Sequence, residues 1–230
     1  MNISLIIPTR SRPAELRETL RAVHDLAEQP DQVEAVCRLD WDDPQLDDNF
    51  KVLREFCQFN YAITGPRRRG YSSVVEFMDE CAAVSTGQLI LCFNDDMRME
   101  TPGWDKVIIQ AMADRPRSVG IGEITLNGDA SNQYPYSIAV IPRPLYKICG
   151  SLGLGYGVDV DRCWGALARH AGCEVKIPFK VAHRQNFSST PDTNASRDEY
   201  SRQLHGNWGA RAAEWEAVGK RYAEMIARVP

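Results

Sequence analysis

Short apolar runs alternate with stretches of helical periodicity through the first hundred residues of the chain. Residues 3–7 form an apolar run rich in β-branched side chains, and from Pro13 to Leu26 apolar side chains recur at helical spacing. The same change of period occurs twice more before residues 88–93, which form a continuous apolar run. This alternation predicts an α/β fold in which helices flank a mostly parallel central sheet.

The second half of the chain has a weaker pattern. A helix is expected at residues 159–171, and residues 185–197, which are mostly Ser, Thr, Asn, Pro and Asp, predict a mobile loop. The spacing of apolar residues from 208 to 228 predicts a last helix. Strands are expected at residues 119–124, 137–141, 174–177 and 179–183.

The composition excludes several classes of protein. With 27 Lys and Arg against 31 Asp and Glu, the net charge of −4 excludes a globally basic nucleic-acid binder. No apolar run approaches the roughly 20 residues of a membrane span. The seven cysteines form no CxxC pair, which indicates buried thiols in a reducing compartment, and the start lacks a signal-peptide pattern. We therefore expect a cytoplasmic protein without a transmembrane segment.

Polar clusters follow three of the predicted strands. Thr9 and Arg10 follow the first strand, residues 40–43 follow the second, and residues 94–96 follow the apolar run at 88–93. The carboxyl ends of parallel strands share one edge, so these clusters are expected to converge. Crowded carboxylates repel unless a cation joins them, which predicts a Mg²⁺ or Mn²⁺ site. Taken singly, each cluster is more typical of turns and helix caps than of a metal site.

These residues carry a resemblance to a known family. Residues 3–13, which read ISLIIPTRSRP, resemble the opening of nucleotide-sugar glycosyltransferases of the GT-A fold, family two in particular. The sequence Asn94-Asp95-Asp96 resembles the family's DxD motif, and residues 157–183 are similar to its acceptor-side segment, which ends in a histidine. The resemblance implies a Rossmann-like GT-A single domain.

The resemblance also implies how the chain is divided. Residues 1–184 would form the glycosyltransferase domain, with a nucleotide-sugar-binding half at 1–100 and an acceptor-side half at 101–184. Residues 185–230 would form a mobile loop and a C-terminal helical extension packed on the same domain. The loop at 185–197 would close over the bound donor and exclude water.

Most of the implied site residues bind the donor. Asp40 matches the acidic residue that hydrogen-bonds the base, usually uracil, and Asp42 is the alternative. Asp96 matches the last acidic residue of DxD and, with His183, would hold Mn²⁺ or Mg²⁺. Asn94 stands where the motif has Asp, and His183 is equally compatible with a core histidine. The full set expected to bind the donor is Pro8, Thr9, Arg10, Arg12, Asp40, Asp42, Arg69, Asn94 and Asp95. Arg69 is included for its charge, because the basic run at 67–69, or Arg184, could stabilise the diphosphate, although such a run is more typical of a solvated loop.

The implied catalytic residue is a carboxylate. Asp159 matches the aspartate that would accept the acceptor's proton, and Asp161 is the alternative. Val158 replaces the glutamate that precedes this aspartate in the family, and Asp159 would equally serve as a helix cap. If the family mechanism holds, a single displacement inverts the anomeric centre.

The predicted function is therefore metal-dependent transfer of a sugar from a nucleoside diphosphate, with UDP favoured, to a hydroxyl acceptor. That acceptor would be a glycan, a small molecule or a hydroxymethylated base in DNA. Asn94 and Val158 favour an alternative, a nucleotide-binding or nucleotidyl-transfer relative that moves no sugar. The sequence predicts no oligomeric state.

Overall fold

The computed structural model describes residues 1–56, 58–68, 73–126, 129–154, 160–184 and 208–227, without the side chains of 126, 129–137 and 208–212. The strands are β1 (Ile3–Thr9), β2 (Val33–Asp40), β3 (Asn60–Gly65), β4 (Leu89–Cys92), β5 (Met97–Met99), β6 (Val119–Leu126), β7 (Asp129–Pro142) and β8 (Glu174–His183). The helices are α1 (Pro13–Asp25), α2 (Leu46–Glu55), α3 (Val74–Val84), α4 (Trp104–Met112), α5 (Arg143–Cys149), α6 (Val160–Ala171) and α7 (Trp208–Ala227).

One sheet of eight strands runs through the fold in the order β3-β2-β1-β4-β7-β6-β8-β5. Strands β3, β2, β1 and β4 are parallel neighbours, and β6 is parallel to β8. Strand β7 is antiparallel to both β4 and β6, and β5 is antiparallel to β8. The predicted mostly parallel α/β sheet is thus confirmed, and β1 lies between β2 and β4, so their carboxyl ends are adjacent.

Helices cover both faces of the sheet, which explains the continuous apolar strands. Ile3, Leu5 and Ile7 of β1 point to a core shared with α1, α2 and α4, whereas Ile6 points to a core shared with α3, α5 and α6. Helix α7 packs on α6 in the second core, and its bounds agree with the last helix predicted at residues 208–228. Among the described residues, no helix is long and apolar enough to cross a membrane.

The structure differs from the sequence predictions in the second half. The two short strands expected at 174–177 and 179–183 are one strand, β8. Pro178 fits within it because the pairing of β8 with β6 is irregular between Ile121 and Glu123, so its missing N–H disturbs no regular ladder. Strand β5 and helix α5 were not predicted.

Candidate active site

The expected convergence of polar clusters is present at the carboxyl edge of the sheet. Thr9 ends β1, and its Oγ1 donates a 2.7 Å hydrogen bond to Oδ2 of Asp95, in the turn after β4. His183 ends β8 and pairs with Met97 of β5, and the next backbone N–H, from Arg184, donates to the carbonyl of Asp96 at 2.8 Å. Four strand ends therefore meet around the turn at residues 94–96.

Asp95 is a buried anchor of this edge. Its Oδ2 accepts from Thr9, and its Oδ1 accepts a 2.8 Å hydrogen bond from Nη1 of Arg12. Burial raises the pKa of Asp95 to about 6, although the positive charge of Arg12 opposes the shift. Because both oxygens contact the protein itself, Asp95 positions Thr9 and Arg12.

Asp96 and His183, the two predicted metal ligands, lie side by side. Oδ1 of Asp96 is 3.2 Å from Nε2 of His183, and Oδ2 accepts from Nη1 of Arg12 at 3.1 Å. Burial acts to raise the pKa of Asp96, but His183 and Arg12 outweigh it and hold this pKa below its usual value. Oδ1 is buried, and its contact with Nε2 of His183 lacks standard hydrogen-bond geometry. A cation bound at this edge would therefore contact both of these atoms.

Asp96 and His183 provide two ligands, so a metal bound there would take its other ligands from the substrate and from water. In the described part of the chain, no group of three or more His, Cys, Asp and Glu side chains is arranged to hold a metal. Mg²⁺ at nucleotide sites is usually bound through one or two carboxylates, with phosphate oxygens and waters as the other ligands, and Mn²⁺ also takes oxygen ligands. Asp96 and His183 fit a metal of this kind.

Arg10 joins both candidate base-binding carboxylates. Its Nη1 lies 3.1 Å from Oδ2 of the buried Asp40 and 2.7 Å from Oδ1 of the exposed Asp42. Burial acts to lower the pKa of Arg10, but the two carboxylates outweigh it and raise this pKa. The hydrogen bond from Arg10 lowers the pKa of Asp42. Asp40 is therefore buried beside Arg10, and Asp42 lies at the surface.

The crowded carboxylates at this edge are paired with arginines. The sequence suggested that crowded carboxylates require a divalent cation, but arginines already offset part of their charge. Arg10 pairs with Asp40 and Asp42, and Arg12 pairs with Asp95 and Asp96. Repulsion among the carboxylates is therefore reduced, and the case for a metal rests mainly on Oδ1 of Asp96 and on His183.

Asp43 joins two loops of the site. The sequence placed it in the polar cluster at 40–43 but indicated no role for it. Its carboxylate accepts from the backbone N–H of Ser11 at 2.8 Å, from Ser11 Oγ at 2.6 Å, and from Gln45 N and Asn49 Nδ2 at 2.9 Å each. Ser11 lies in the left-handed region with φ of 55°. No sequence pattern separates Asp43 from Asp42, because this role depends on a partner 32 residues away.

Comparison with known proteins agrees with this geometry. The sequence model of glycosyl transferase family 2 matches residues 4–171. The chain belongs to this family. It is a glycosyltransferase, and the resemblance seen in its motifs is confirmed. Family membership favours sugar transfer over the nucleotidyl-transfer alternative. A search among curated protein sequences finds no match.

Solved structures show that this family 2 glycosyltransferase has the GT-A fold. S. aureus TarS, residues 1–349, matches with a TM-score of 0.63 at 10% identity, over 99% of this chain and 73% of that one. The mannosyltransferase PcManGT from Pyrobaculum calidifontis, with GDP-Man and Mn²⁺, gives 0.63 at 10% identity, over 98% and 73%. GalNAc-T7 with UDP, GalNAc and Mn²⁺ gives 0.65 at 10% identity, over 96% and 55%.

The predicted catalytic residues of the glycosyltransferase are only partly described. Asp161 lies in the first turn of α6. Burial, Asp79 and Asp161 raise the pKa of the Cys92 thiol at the carboxyl end of β4. The predicted base Asp159 lies outside the described residues.

The remaining predicted residues take varied positions. Pro8 lies within β1, and the half-buried Asn94 accepts a backbone hydrogen bond from Met97 at 3.1 Å. Arg69 and the expected loop at 185–197 lie outside the described residues.

Proposed function

We propose that the chain transfers a sugar from a UDP-linked donor to a hydroxyl acceptor, with inversion and with Mn²⁺ or Mg²⁺ bound by Asp96 and His183. The observation that carries the proposal is the buried Oδ1 of Asp96, which faces Nε2 of His183 at 3.2 Å. This oxygen lies in the turn after β4, at the same edge of the sheet as Thr9 and Asp40, where a donor at the strand ends would place its diphosphate and base.

The ligands of the structural neighbours support this choice of donor and metal. S. aureus TarS has been solved in complex with UDP and with UDP-GlcNAc. GalNAc-T7 was solved with UDP and Mn²⁺, and the Pyrobaculum mannosyltransferase with GDP-Man and Mn²⁺. Uridine nucleotides are thus found in two of these three proteins, and Mn²⁺ in two.

Each part of the site has a chemical task in the proposed reaction. A divalent cation bound at Asp96 and His183 would offset the charge on the departing diphosphate. Asp40 would accept a hydrogen bond from an N–H of the base, and Arg10 would donate to a base carbonyl. Asp161 or Asp159 would accept the proton of the attacking hydroxyl.

The proposed division of labour follows the chain. Residues 1–100 would bind the nucleotide sugar, and residues 101–184 would bind the acceptor. Residues 185–230 would add a loop that closes over the donor and a C-terminal helix.

The ion pairs favour a glycan or small-molecule acceptor over DNA. A protein that contacts DNA phosphates normally presents basic side chains to them. Near the predicted site, however, Arg10 and Arg12 pair with aspartates, Arg17 pairs with Glu55, and Arg68 pairs with Glu76 and Glu80. These carboxylates offset the positive charge that the phosphates around a hydroxymethylated base in DNA would need nearby.

A donor screen tests the proposal. The protein is incubated with UDP-, GDP- and dTDP-sugars, Mn²⁺ and a panel of glycan and small-molecule acceptors, and released nucleoside diphosphate is measured. We expect turnover with a UDP-sugar and at least a roughly hundredfold loss in Asp96→Asn. Asp48→Asn is the matched control, since Asp48 is an exposed aspartate paired with Lys51. Unchanged turnover in Asp96→Asn, or none with any donor and acceptor, would refute the proposal.

A further inference from the structure

A fully buried arginine lies directly behind the base-binding candidate Asp40. Arg38 is 1% exposed in strand β2, two residues before Asp40 and on the same face of the sheet. Its Nη1 donates to Oδ1 of Asp40 and, at 3.0 Å, to the carbonyl of Leu39. The sequence offered a signal for it, because a charged residue interrupts the otherwise apolar end of a predicted buried strand.

The environment of Arg38 is built to fix its position. Its guanidinium lies 4.1 Å from the ring centroid of Phe77, its Nε donates to Glu80 at 3.2 Å, and its Nη2 donates to the carbonyl of Pro66. Gly65 leaves room for this group, because a Cβ there would lie 2.8 Å from Nη2. Contacts from strand, helix and loop thus hold Arg38 in place.

Arg38 and Arg10 hold opposite oxygens of the Asp40 carboxylate. Arg38 contacts Oδ1, and Nη1 of Arg10 contacts Oδ2 at 3.1 Å. A carboxylate can accept about four hydrogen bonds, so lone pairs remain for a base. Without Arg38, Asp40 would be free to turn both oxygens to Arg10, and fewer lone pairs would point to the base. The buried guanidinium also supplies the positive charge that a buried carboxylate requires.

We infer that Arg38 is a positioning residue for base selection, which acts through Asp40 and rests on the proposed function. An ionised carboxylate in a fixed orientation accepts a hydrogen bond from N3–H of uracil. Cytosine carries no hydrogen at N3, so the carboxylate would instead repel the lone pair of that nitrogen. A site that places such a polar group rigidly rejects the wrong base more strongly than one in which the group can turn.

The test compares UDP with CDP binding by isothermal titration calorimetry in Mn²⁺. We expect the wild-type protein to prefer UDP by at least about tenfold. Arg38→Met should lower this ratio at least roughly threefold, mainly through weaker UDP binding, and should leave the affinity for inorganic pyrophosphate unchanged.

Two variants separate the inference from its alternatives. Arg143 is a half-buried arginine at the opposite edge of the sheet that donates to the carbonyls of Gly87 and Ala82 and to Ser85 Oγ. Arg143→Met should lower the melting temperature but keep the UDP to CDP ratio. Asp40→Asn should abolish the preference for UDP and bring the UDP to CDP affinity ratio close to one.

Each outcome has one meaning. If the wild type shows no UDP preference, or Asp40→Asn keeps it, the proposed base contact itself is wrong. If Asp40→Asn loses the preference and a folded Arg38→Met keeps it, the inference about Arg38 is wrong. Should Arg38→Met not fold, Arg38→Lys carries the test, because lysine keeps the charge but lacks the planar fork. An unchanged ratio in Arg38→Lys would then overturn the inference, and a lowered one would support it.

Discussion

Replacing Asp43 with asparagine tests whether one carboxylate holds the β1 and β2 loops of the site together. Two donors, Ser11 Oγ and Gln45 N, reach Oδ1, and two others, Ser11 N and Asn49 Nδ2, reach Oδ2. Asparagine has the same shape but offers one oxygen and one NH₂ group. Each end of the side chain meets a backbone N–H, so the NH₂ must face such a donor in either orientation.

The free energy of unfolding should fall by about 3 kcal/mol. A backbone N–H left without an acceptor costs about 1–3 kcal/mol, and loss of the negative charge weakens the two remaining hydrogen bonds by roughly 0.5–1 kcal/mol each. Domains of this kind are stable by about 5–15 kcal/mol, so the variant should fold. In urea denaturation, the midpoint should drop while the m value stays unchanged.

The same variant should bind UDP about tenfold more weakly, a change of about 1.4 kcal/mol. Ser11 lies between Arg10 and Arg12 in a left-handed conformation, and a looser Ser11 would let both arginines move. Asp105→Asn is the matched control, because Asp105 is fully buried and accepts two backbone N–H bonds at the opposite edge of the sheet. A stability loss under about 1 kcal/mol would refute the bonding scheme. Equal losses of UDP affinity in both variants would refute the positioning role.

Three further predictions follow from other contacts. Mn²⁺ binding, followed by calorimetry, should be weak for the chain alone and tighter with UDP, and Asp96→Asn should abolish the gain. Burial acts to raise the pKa of Glu34, but four hydrogen bonds outweigh it and lower this pKa. The ionised Glu34 should therefore stabilise the fold above a pH of about 4.3 and lose this effect progressively as the pH falls below it. Glu34→Gln should flatten this pH dependence of the melting temperature. Gly219→Ala should lower the melting temperature, because its Cβ would lie 2.6 Å from the backbone of Ala166 and Leu167. Gly165→Ala should not, because its Cβ would meet only the end of the Arg169 side chain, at an ordinary contact distance of 3.5 Å.

The fold was largely predictable because its signals are local. Residues 3–7 predicted a strand buried on both faces, and β1 sends alternate side chains into two separate cores. The length of β8 was not predictable, because Pro178 lies where the pairing with β6 is irregular, and that depends on the partner strand. Helix α5 is only seven residues long, too short for a clear helical period.

The positions of the site residues were predictable, but their partners were not. Thr9 and Asp40 end strands, Asp96 lies in the turn after one, and topology alone brings strand ends together. Which arginine meets which carboxylate depends on side-chain geometry between residues far apart in the chain: Arg12 and Asp95 are separated by 83 positions. Arg38 was overlooked for the same reason, since its role appears only when Asp40, Phe77 and the loop after β3 are placed around it.

These ion pairs change how the acidic edge of the sheet would interact with a nucleoside diphosphate. A pocket of unpaired aspartates would repel a nucleoside diphosphate, but Arg10, Arg12 and Arg38 pair with the aspartates that follow β2 and β4. The donor of the proposed reaction would therefore meet a surface whose negative charge is partly offset. Asp96 keeps one buried oxygen towards His183, and phosphate oxygens would complete the coordination of a cation there. Two protein ligands suffice in such a site, which is why we expect metal binding to depend on the nucleotide.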